Sequence, residues 1–338
     1  MQRGTVERSD TGQLAWKGDP EGISDPGNPT NMTIQRWARR GVLLLVAVTG
    51  RQSSPPRYWG FTAPWDDRSS ASVRRHDSAL GAVISGWIGV DSASGMPLML
   101  YPDDAPRSPA PRFAMITTAA EGRFHPDALH HLANDFADSV GRILVHGHYR
   151  GLVIDFEDLK PADTTVYLTV VRALTRAAHA HRVSPVTVTV VGFDSVAYPV
   201  RRLLAATDRI MVMAYDQHWQ TAPPGPIASP DWVTDIVKRR LAEGGAAAKD
   251  RVIVALPVYG YRWPAHGPAA VVGFADAGHA TLVRDSASLN LHATGADSSQ
   301  LWICDGLTLD TLAQRVRALG PRTLALWRLG LEDPKMWR

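Results

Sequence analysis

Residues 151–157 read GLVIDFE, a continuous apolar run that ends on two carboxylates. Continuous apolar runs are typical of strands in a parallel sheet, because helices cover both faces of such a sheet. Seven further runs rich in β-branched and aromatic residues recur along the chain. They are YWGFTA at 58–63, AVISGWI at 82–88, RFAMITT at 112–118, VTVTVVGF at 186–193, RIMVMAY at 209–215, VIVALPVYG at 252–260 and TLALWRL at 323–329.

Stretches with helical periodicity lie between these runs. The clearest cover residues 164–181, 232–245 and 308–320, and the last two end in glycine, which commonly terminates a helix. Eight strands that alternate with helices predict an α/β fold, a (β/α)8 TIM barrel over residues 56–338, rather than two separate domains. Residues 264–301, after the seventh strand, predict a small inserted loop or hairpin.

Residues 1–55 differ in composition from the rest and are assigned to an N-terminal tail. They are polar and rich in Gly and Pro at first, and then a basic segment precedes the apolar run GVLLLVAV at 41–48. A bilayer span needs about 20 apolar residues, so this run predicts no stable membrane span. The order of a basic segment and then an apolar run resembles a signal peptide, particularly if translation starts at Met32. The alternative is that the apolar run forms a short helix beneath the barrel. An exported and a cytoplasmic location are therefore both open.

The charge balance argues against a nucleic-acid partner. The 338 residues carry 36 basic and 33 acidic side chains, a net charge of +3, and the basic ones are spread along the chain. The single cysteine, Cys304, excludes an intrachain disulfide and a paired-cysteine zinc motif. We interpret the histidines at 125–131 and 146–148 as surface residues rather than metal ligands. The oligomeric state is not indicated, because the apolar helix faces are all needed to cover the barrel.

The active site of such a barrel lies at the carboxyl ends of the strands, where the fourth run carries its acids. Period-two alternation places Val153, Asp155 and Glu157 on one face, towards the barrel mouth. The two carboxylates then lie about 6.5–7 Å apart along the strand. Their proximity pushes their pKa values apart, so that one is ionised and the other keeps a proton. An acidic pair at a strand end also has a structural interpretation, in which it caps the next helix or binds a loop arginine.

The sixth run ends in Met213, Ala214, Tyr215 and Asp216. A phenol and a carboxylate at that strand end add a hydrogen-bond donor and an acceptor to the same mouth. Aromatic residues also collect at the predicted strand ends, and such a surface suits the apolar faces of sugar rings. These aromatic residues are Trp65, Trp87, Trp219, Tyr259, Tyr261, Trp263 and Trp327.

These motifs resemble those of glycoside hydrolase family 18, the chitinase-like family. The fourth-strand motif of the family, DGxDxDxE, corresponds to RGLVIDFE at 150–157, and the sixth-strand motif MxYD corresponds to MAYD at 213–216. The eighth-strand tryptophan corresponds to Trp327. The segments GFTAPWDDRSSASVRRH, ALPVYGYRW and ALWRLGLEDPKMW are similar to a branch that includes spore-cortex hydrolases and bacterial domains linked to a polysaccharide deacetylase. The resemblance covers residues 58–338.

The resemblance implies retaining hydrolysis of β-linked N-acetylglucosamine glycans, such as a bacterial exopolysaccharide, peptidoglycan or a chitin-like polymer. Glu157 would be the general acid and then the base, and Asp155 would orient the acetamido group whose oxygen attacks the anomeric carbon. Tyr215 would hydrogen-bond the acetamido carbonyl. The implied partner is an N-acetylated polysaccharide or oligosaccharide, and no metal or organic cofactor is implied. The expected sugar contacts are Asp216, Met213, Trp327, Tyr259 and Trp65.

Two residues depart from the family motif and leave a second function open. Arg150 and Val153 stand where the motif has its first two aspartates. Because Val153 removes a carboxylate that could share a proton with Asp155, we expect Asp155 to stay permanently ionised. The alternative function is a catalytically silent, lectin-like glycan-binding protein. A third interpretation is an unrelated sugar-metabolising barrel, and the lack of a Gly-rich phosphate loop after the last two strands argues against phosphosugar substrates.

Overall fold

Eight parallel strands form a closed barrel in the computed structural model, which describes residues 58–101, 108–120, 122–278 and 280–338. The first strand pairs in parallel with both the second and the last, and these pairings close the barrel. The TIM barrel predicted from the sequence is confirmed. Its strands are β1 (Tyr58–Phe61), β2 (Leu80–Val90), β3 (Arg112–Thr117), β4 (Gly151–Asp155), β5 (Val186–Val191), β6 (Arg209–Met213), β7 (Val252–Pro257) and β8 (Leu324–Trp327).

Helices follow most of the strands and cover the barrel. They are α1 (Asp67–His76), α2 (Phe136–His146), α3 (Thr164–Ala180), α4 (Val200–Leu204), α5 (Pro230–Gly244) and α6 (Gly306–Leu319). Within the described ranges, the connection from β2 to β3 holds the short strand Pro97–Met99, which pairs antiparallel with β2.

The helices α5 and α6 end directly before the glycines that the sequence predicts as their ends. Asp66 and Asp305 cap the amino ends of α1 and α6 by accepting backbone hydrogen bonds, at Arg68 and Thr308 respectively. The glycines after α5 and α6 adopt positive φ angles of 68° and 125°, which side chains disfavour.

The alternation in β4 divides its side chains between two apolar layers. Leu152, Ile154 and Phe156 face outwards and pack against the helices. Val153 faces inwards and packs in the barrel interior with Met115 and Met211. The interior is therefore filled with apolar side chains, and only its carboxyl end carries the acidic residues of the predicted site.

The insertion after β7 is more extensive than the predicted hairpin. It is a five-stranded antiparallel sheet that begins at Gly260 and ends at Ile303. Its first strand, Gly260–Trp263, pairs with its last, Gln300–Ile303, and Tyr261 lies opposite Trp302. Local sequence patterns underestimate this sheet, because the pairing joins segments about 40 residues apart and each is only a few residues long.

A membrane-crossing helix is not found among the described residues, since none there is long and apolar enough. In the same part of the chain, His, Cys, Asp and Glu side chains form no group of three or more suited to a metal ion. The tail at 1–55, with its possible signal peptide, lies outside the described residues.

Candidate functional site

A cavity of about 300 Å³ opens at the carboxyl end of the barrel. The ends of β1, β2, β3, β4, β5 and β8 and the segment after β6 contribute to its wall. A second cavity of about 830 Å³ lies beside α2 and contains none of the predicted site residues, so the smaller cavity is the candidate site. The residues that line the candidate site are Phe61, Trp65, Trp87, Thr117, Ala119, Gly122, Arg123, Phe124, Asp155, Glu157, Thr189, Tyr215, Asp216 and Trp327.

Asp155, the last residue of β4, is buried at the floor of the cavity with 7% of its surface exposed. The Thr189 hydroxyl, on neighbouring β5, lies 2.8 Å from Oδ1 of Asp155 and donates to it. Burial raises the pKa of Asp155 to about 6, although the Thr189 hydrogen bond acts in the opposite direction. The expectation that Asp155 stays permanently ionised therefore holds only above this pKa, because burial favours the protonated form at lower pH.

Glu157 lies two residues beyond Asp155 and shares the same cavity. Burial raises the pKa of Glu157 well above its ordinary value, and the negative charges of Asp155, Asp158 and Asp216 raise it further. Asp155 therefore ionises at a lower pH than Glu157, which keeps its proton beside an ionised neighbour. This separation agrees with the prediction from the spacing of the two carboxylates.

Asp216 follows β6 and reaches the cavity from a strained backbone conformation. Its φ angle is 59°, a left-handed conformation that few non-glycine residues adopt. The Tyr259 hydroxyl donates a hydrogen bond to Asp216. Burial raises the pKa of Asp216, and hydrogen bonds from Tyr259 and Tyr261 oppose that shift. The hydroxyls of Tyr259 and Tyr261 thus fix the position of the Asp216 carboxylate.

Aromatic rings form the other walls of the cavity. The Trp327 ring, at the end of β8, lies nearly parallel to that of Tyr215, at 17° and with centroids 6.5 Å apart. Trp65 is 53% exposed at the rim, and its ring contacts Trp87 edge to face at 4.9 Å. The indole N–H of Trp87 donates to the carbonyl of Thr62. These rings present the flat apolar surfaces on which sugar rings stack.

The structure places most of the predicted site residues at one cavity. Asp155, Glu157, Tyr215, Asp216, Trp327 and Trp65 all line it. Tyr259 and Met213 do not: both are buried, with 2% and 7% exposed, and Tyr259 supports Asp216 from behind. Direct sugar contact by these two residues is therefore not supported, because both are buried and neither lines the cavity.

Sequence reasoning missed Thr189 as a partner of Asp155. A signal was present, because the alternation in VTVTVV turns Thr187 and Thr189 of β5 to the same face as the acids of β4. It also missed the short hairpin that carries Arg123 and Phe124 to the cavity. That hairpin has two residues in each strand, which is too short for a periodic signal.

A closed parallel barrel with acids and aromatic rings at its carboxyl end is an arrangement suited to a glycosidase. The chain belongs to the Glycosyl hydrolases family 18, whose model matches residues 119–299. It is 23% identical over 242 residues to the cortical fragment-lytic enzyme of Bacillus subtilis (strain 168), an alignment that covers 60% of this chain and 56% of that protein. The chain spans between 38% and 56% of the length of the curated relatives that it matches.

Solved structures share the fold at low sequence identity. The spore cortex-lytic enzyme SleL of Bacillus cereus superposes with a TM-score of 0.72 at 17% identity, over 84% of this chain and 73% of that one. A class V chitinase mutant from Nicotiana tobaccum, in complex with NAG4, superposes with a TM-score of 0.66 at 17% identity, over 83% of this chain and 96% of that one.

Proposed function

We propose that the protein hydrolyses β-linked N-acetylglucosamine glycans with retention of the anomeric configuration, and that the substrate's own acetamido group is the nucleophile. The observation that carries the proposal is that Glu157 and Asp155 line one aromatic-walled cavity, where burial and neighbouring carboxylates raise the pKa of Glu157 well above its ordinary value. Family 18 is a known exception to the rule of two enzyme carboxylates, because the substrate replaces the enzyme nucleophile.

In the first step, Glu157 gives its proton to the glycosidic oxygen as the bond to the anomeric carbon breaks. The acetamido oxygen of the same sugar attacks that carbon and forms a cyclic oxazolinium ion. Asp155, ionised at this stage, stabilises the positive charge on the acetamido nitrogen, and the Tyr215 hydroxyl hydrogen-bonds the attacking oxygen.

In the second step, Glu157 is a carboxylate and acts as the base. It takes a proton from water as the water oxygen attacks the anomeric carbon, and the acetamido group is released in its original form. Two inversions at the same carbon give net retention. A positioned acid of this kind contributes a rate factor of about 10² to 10⁴.

The aromatic walls of the cavity and the names of two similar proteins support the substrate class. Trp327 and Trp65 offer apolar faces for sugar rings. One relative is named a cortical fragment-lytic enzyme, and one structural neighbour holds NAG4. These names support an N-acetylated glycan of bacterial origin as the partner.

A catalytically silent glycan-binding protein is the second candidate, and Val153 is the observation in its favour. An apolar residue below Asp155 removes the acidic relay that the family motif places there. Arg150 carries less weight, because it precedes β4 at the opposite end of the strand from Asp155, where its N–H donates to the carbonyl of Arg112.

The deciding experiment compares the parent protein with Glu157→Gln on chitin oligosaccharides, soluble poly-N-acetylglucosamine and cortex fragments. We expect turnover of at least one glycan, a loss of about 10²-fold or more in Glu157→Gln, and the β-anomer as the first product by NMR. Asp235→Asn is the matched control, because Asp235 is exposed on α5 and outside the cavity lining.

Two results would contradict the proposed hydrolase function or the role of Glu157 in it. Binding of these glycans without turnover by the parent favours the silent glycan-binding protein. Turnover that survives in Glu157→Gln contradicts the role given to Glu157.

A further inference from the structure

A largely buried ion pair adjoins two walls of the candidate site. Arg328 directly follows Trp327, and Asp66 directly follows Trp65. Nη1 of Arg328 donates to Oδ2 of Asp66 at 2.9 Å, and each side chain is 11% exposed. The pair therefore ties the segment after β8 to the segment after β1, which are 262 residues apart in sequence.

The guanidinium of Arg328 also lies over the Trp65 ring, 5.8 Å from its centroid. Trp65 is an exposed indole at the rim, which contacts Trp87 edge to face and Tyr101 in a tilted arrangement. A cation over an indole face is attractive, and a planar guanidinium stacks on it in a defined orientation. Arg328 thus contacts one wall of the cavity and is covalently joined to the other.

Asp66 is itself held in place from a second side. Nε of Arg68 donates to it at 2.9 Å, and the backbone N–H of Arg68 donates to it at the start of α1. Nη1 of Arg68 also donates to Oδ2 of Asp276, which lies between two strands of the insertion, at 2.9 Å. Four alternating charges therefore connect the rim of the barrel to the insertion.

We propose that Arg328 is a positioning residue, which holds Trp65 at a fixed distance from Trp327 so that a sugar ring fits between these walls. This inference rests on the proposed function for its ligand. Arg328 does not line the cavity, and the charges that raise the pKa of Glu157 are those of Asp155, Asp158 and Asp216. Its removal therefore weakens glycan binding and leaves the chemical step unchanged.

The test compares Arg328→Met, Arg328→Lys and the parent protein on an N-acetylglucosamine oligosaccharide. In Arg328→Met we expect KM to rise roughly tenfold, with kcat and the pH profile unchanged. Lysine keeps the charge towards Asp66 but lacks the planar stack, so Arg328→Lys falls between the two. Arg315→Met is the matched control, because it removes an ion pair that is exposed on both sides and lies away from the cavity.

A second readout needs no ligand. The Trp65 and Trp87 rings, at 4.9 Å and 72°, form an exciton pair in circular dichroism, and Trp65→Phe identifies its couplet. We expect the couplet to weaken in Arg328→Met and to persist in Arg315→Met. If Arg328→Met does not fold, Asp66→Asn removes the charge of the partner while asparagine still caps α1.

An unchanged couplet together with an unchanged KM overturns the positioning role. A fall in kcat or a shifted pH profile also overturns it, since either places Arg328 in the chemistry. If the parent turns over no glycan, the proposed function fails, and the couplet still decides whether Arg328 holds Trp65.

Discussion

Two groups of carboxylates lie at the carboxyl end of the barrel, and their surroundings differ. In the cavity, burial raises the pKa values of Asp155, Glu157 and Asp216, and within the described ranges no cation pairs with them. At the rim, burial also raises the pKa of Asp66, but hydrogen bonds from Arg68 and Arg328 outweigh it and lower that pKa below its ordinary value.

The difference shows that the pKa of a buried carboxylate at this end of the barrel depends on whether an arginine pairs with it. A carboxylate that is paired with arginine stays ionised and joins segments of the fold. A carboxylate that is buried among apolar and phenolic groups titrates in the range where proton transfer is useful.

The largest effect on stability is expected at the rim. Asp66→Ala removes the cap of α1 and leaves Arg328 largely buried without its partner, so the free energy of unfolding falls by about 3 kcal/mol. Urea unfolding measures this loss. Asp67→Ala, one residue further on and exposed, is the control and changes stability by less than about 1 kcal/mol. An equal loss in both variants would show that the ion pair contributes nothing.

In the cavity, removal of a carboxylate is expected to stabilise the fold. The pKa of Asp155 is raised from 3.8 to about 6, so the unfolded chain releases its proton first, and stability decreases as the pH rises between these values. Asp155→Asn avoids this loss. We expect it to match the parent near pH 4 and to exceed it near pH 7 by about 2 kcal/mol, while turnover is lost.

Urea unfolding at both pH values checks this prediction. Asp235→Asn, at an exposed position on α5, supplies the baseline. A variant that is less stable than the parent near pH 7 would mean that Asp155 is favourably ionised, like Asp66.

The acid limb of the pH–rate profile tests the ionisation of Asp155. Turnover requires ionised Asp155, so the rate rises as the pH passes through about 6. Thr189→Val removes the hydrogen bond that lowers this pKa, and the limb moves to higher pH by roughly one unit. Thr187→Val makes the same change one step deeper in β5, where the hydroxyl has no hydrogen-bond partner among the described residues, and leaves the limb in place. A limb that moves equally in both variants would exclude Thr189 as the cause.

The smallest effect is expected at the outer end of the rim network. Arg68 and Asp276 are 46% and 42% exposed, and such pairs contribute little in water. Asp276→Asn is therefore expected to change the free energy of unfolding by less than about 0.5 kcal/mol, and raised salt is expected to leave even that difference unresolved. A loss comparable to that of Asp66→Ala would show that the inserted sheet depends on this contact.

Several parts of the site could be predicted from the sequence. The period-two pattern of GLVIDFE placed Asp155 and Glu157 on the cavity side and Val153 in the barrel interior, as the structure shows. The strand end MAYD placed Tyr215 and Asp216 at the same mouth. These features depend only on local alternation and on the rule that the carboxyl ends of the strands meet at one face.

Other parts depended on contacts between distant segments. Sequence assigned Tyr259 to the sugar, whereas the turn into the inserted sheet places its hydroxyl against Asp216. The five-stranded sheet itself arises from pairings between short strands that show no pattern of their own.

By itself, the sequence determined the barrel, the order of its strands and the end at which its acids lie, because strand periodicity and strand ends are local properties of the chain. Only the tertiary structure decided which carboxylates are paired. Asp66 meets Arg328 across 262 residues, and Asp155 meets Thr189 across 34. Closure of the barrel brings these distant segments together, and both contacts favour the ionised form of the carboxylate.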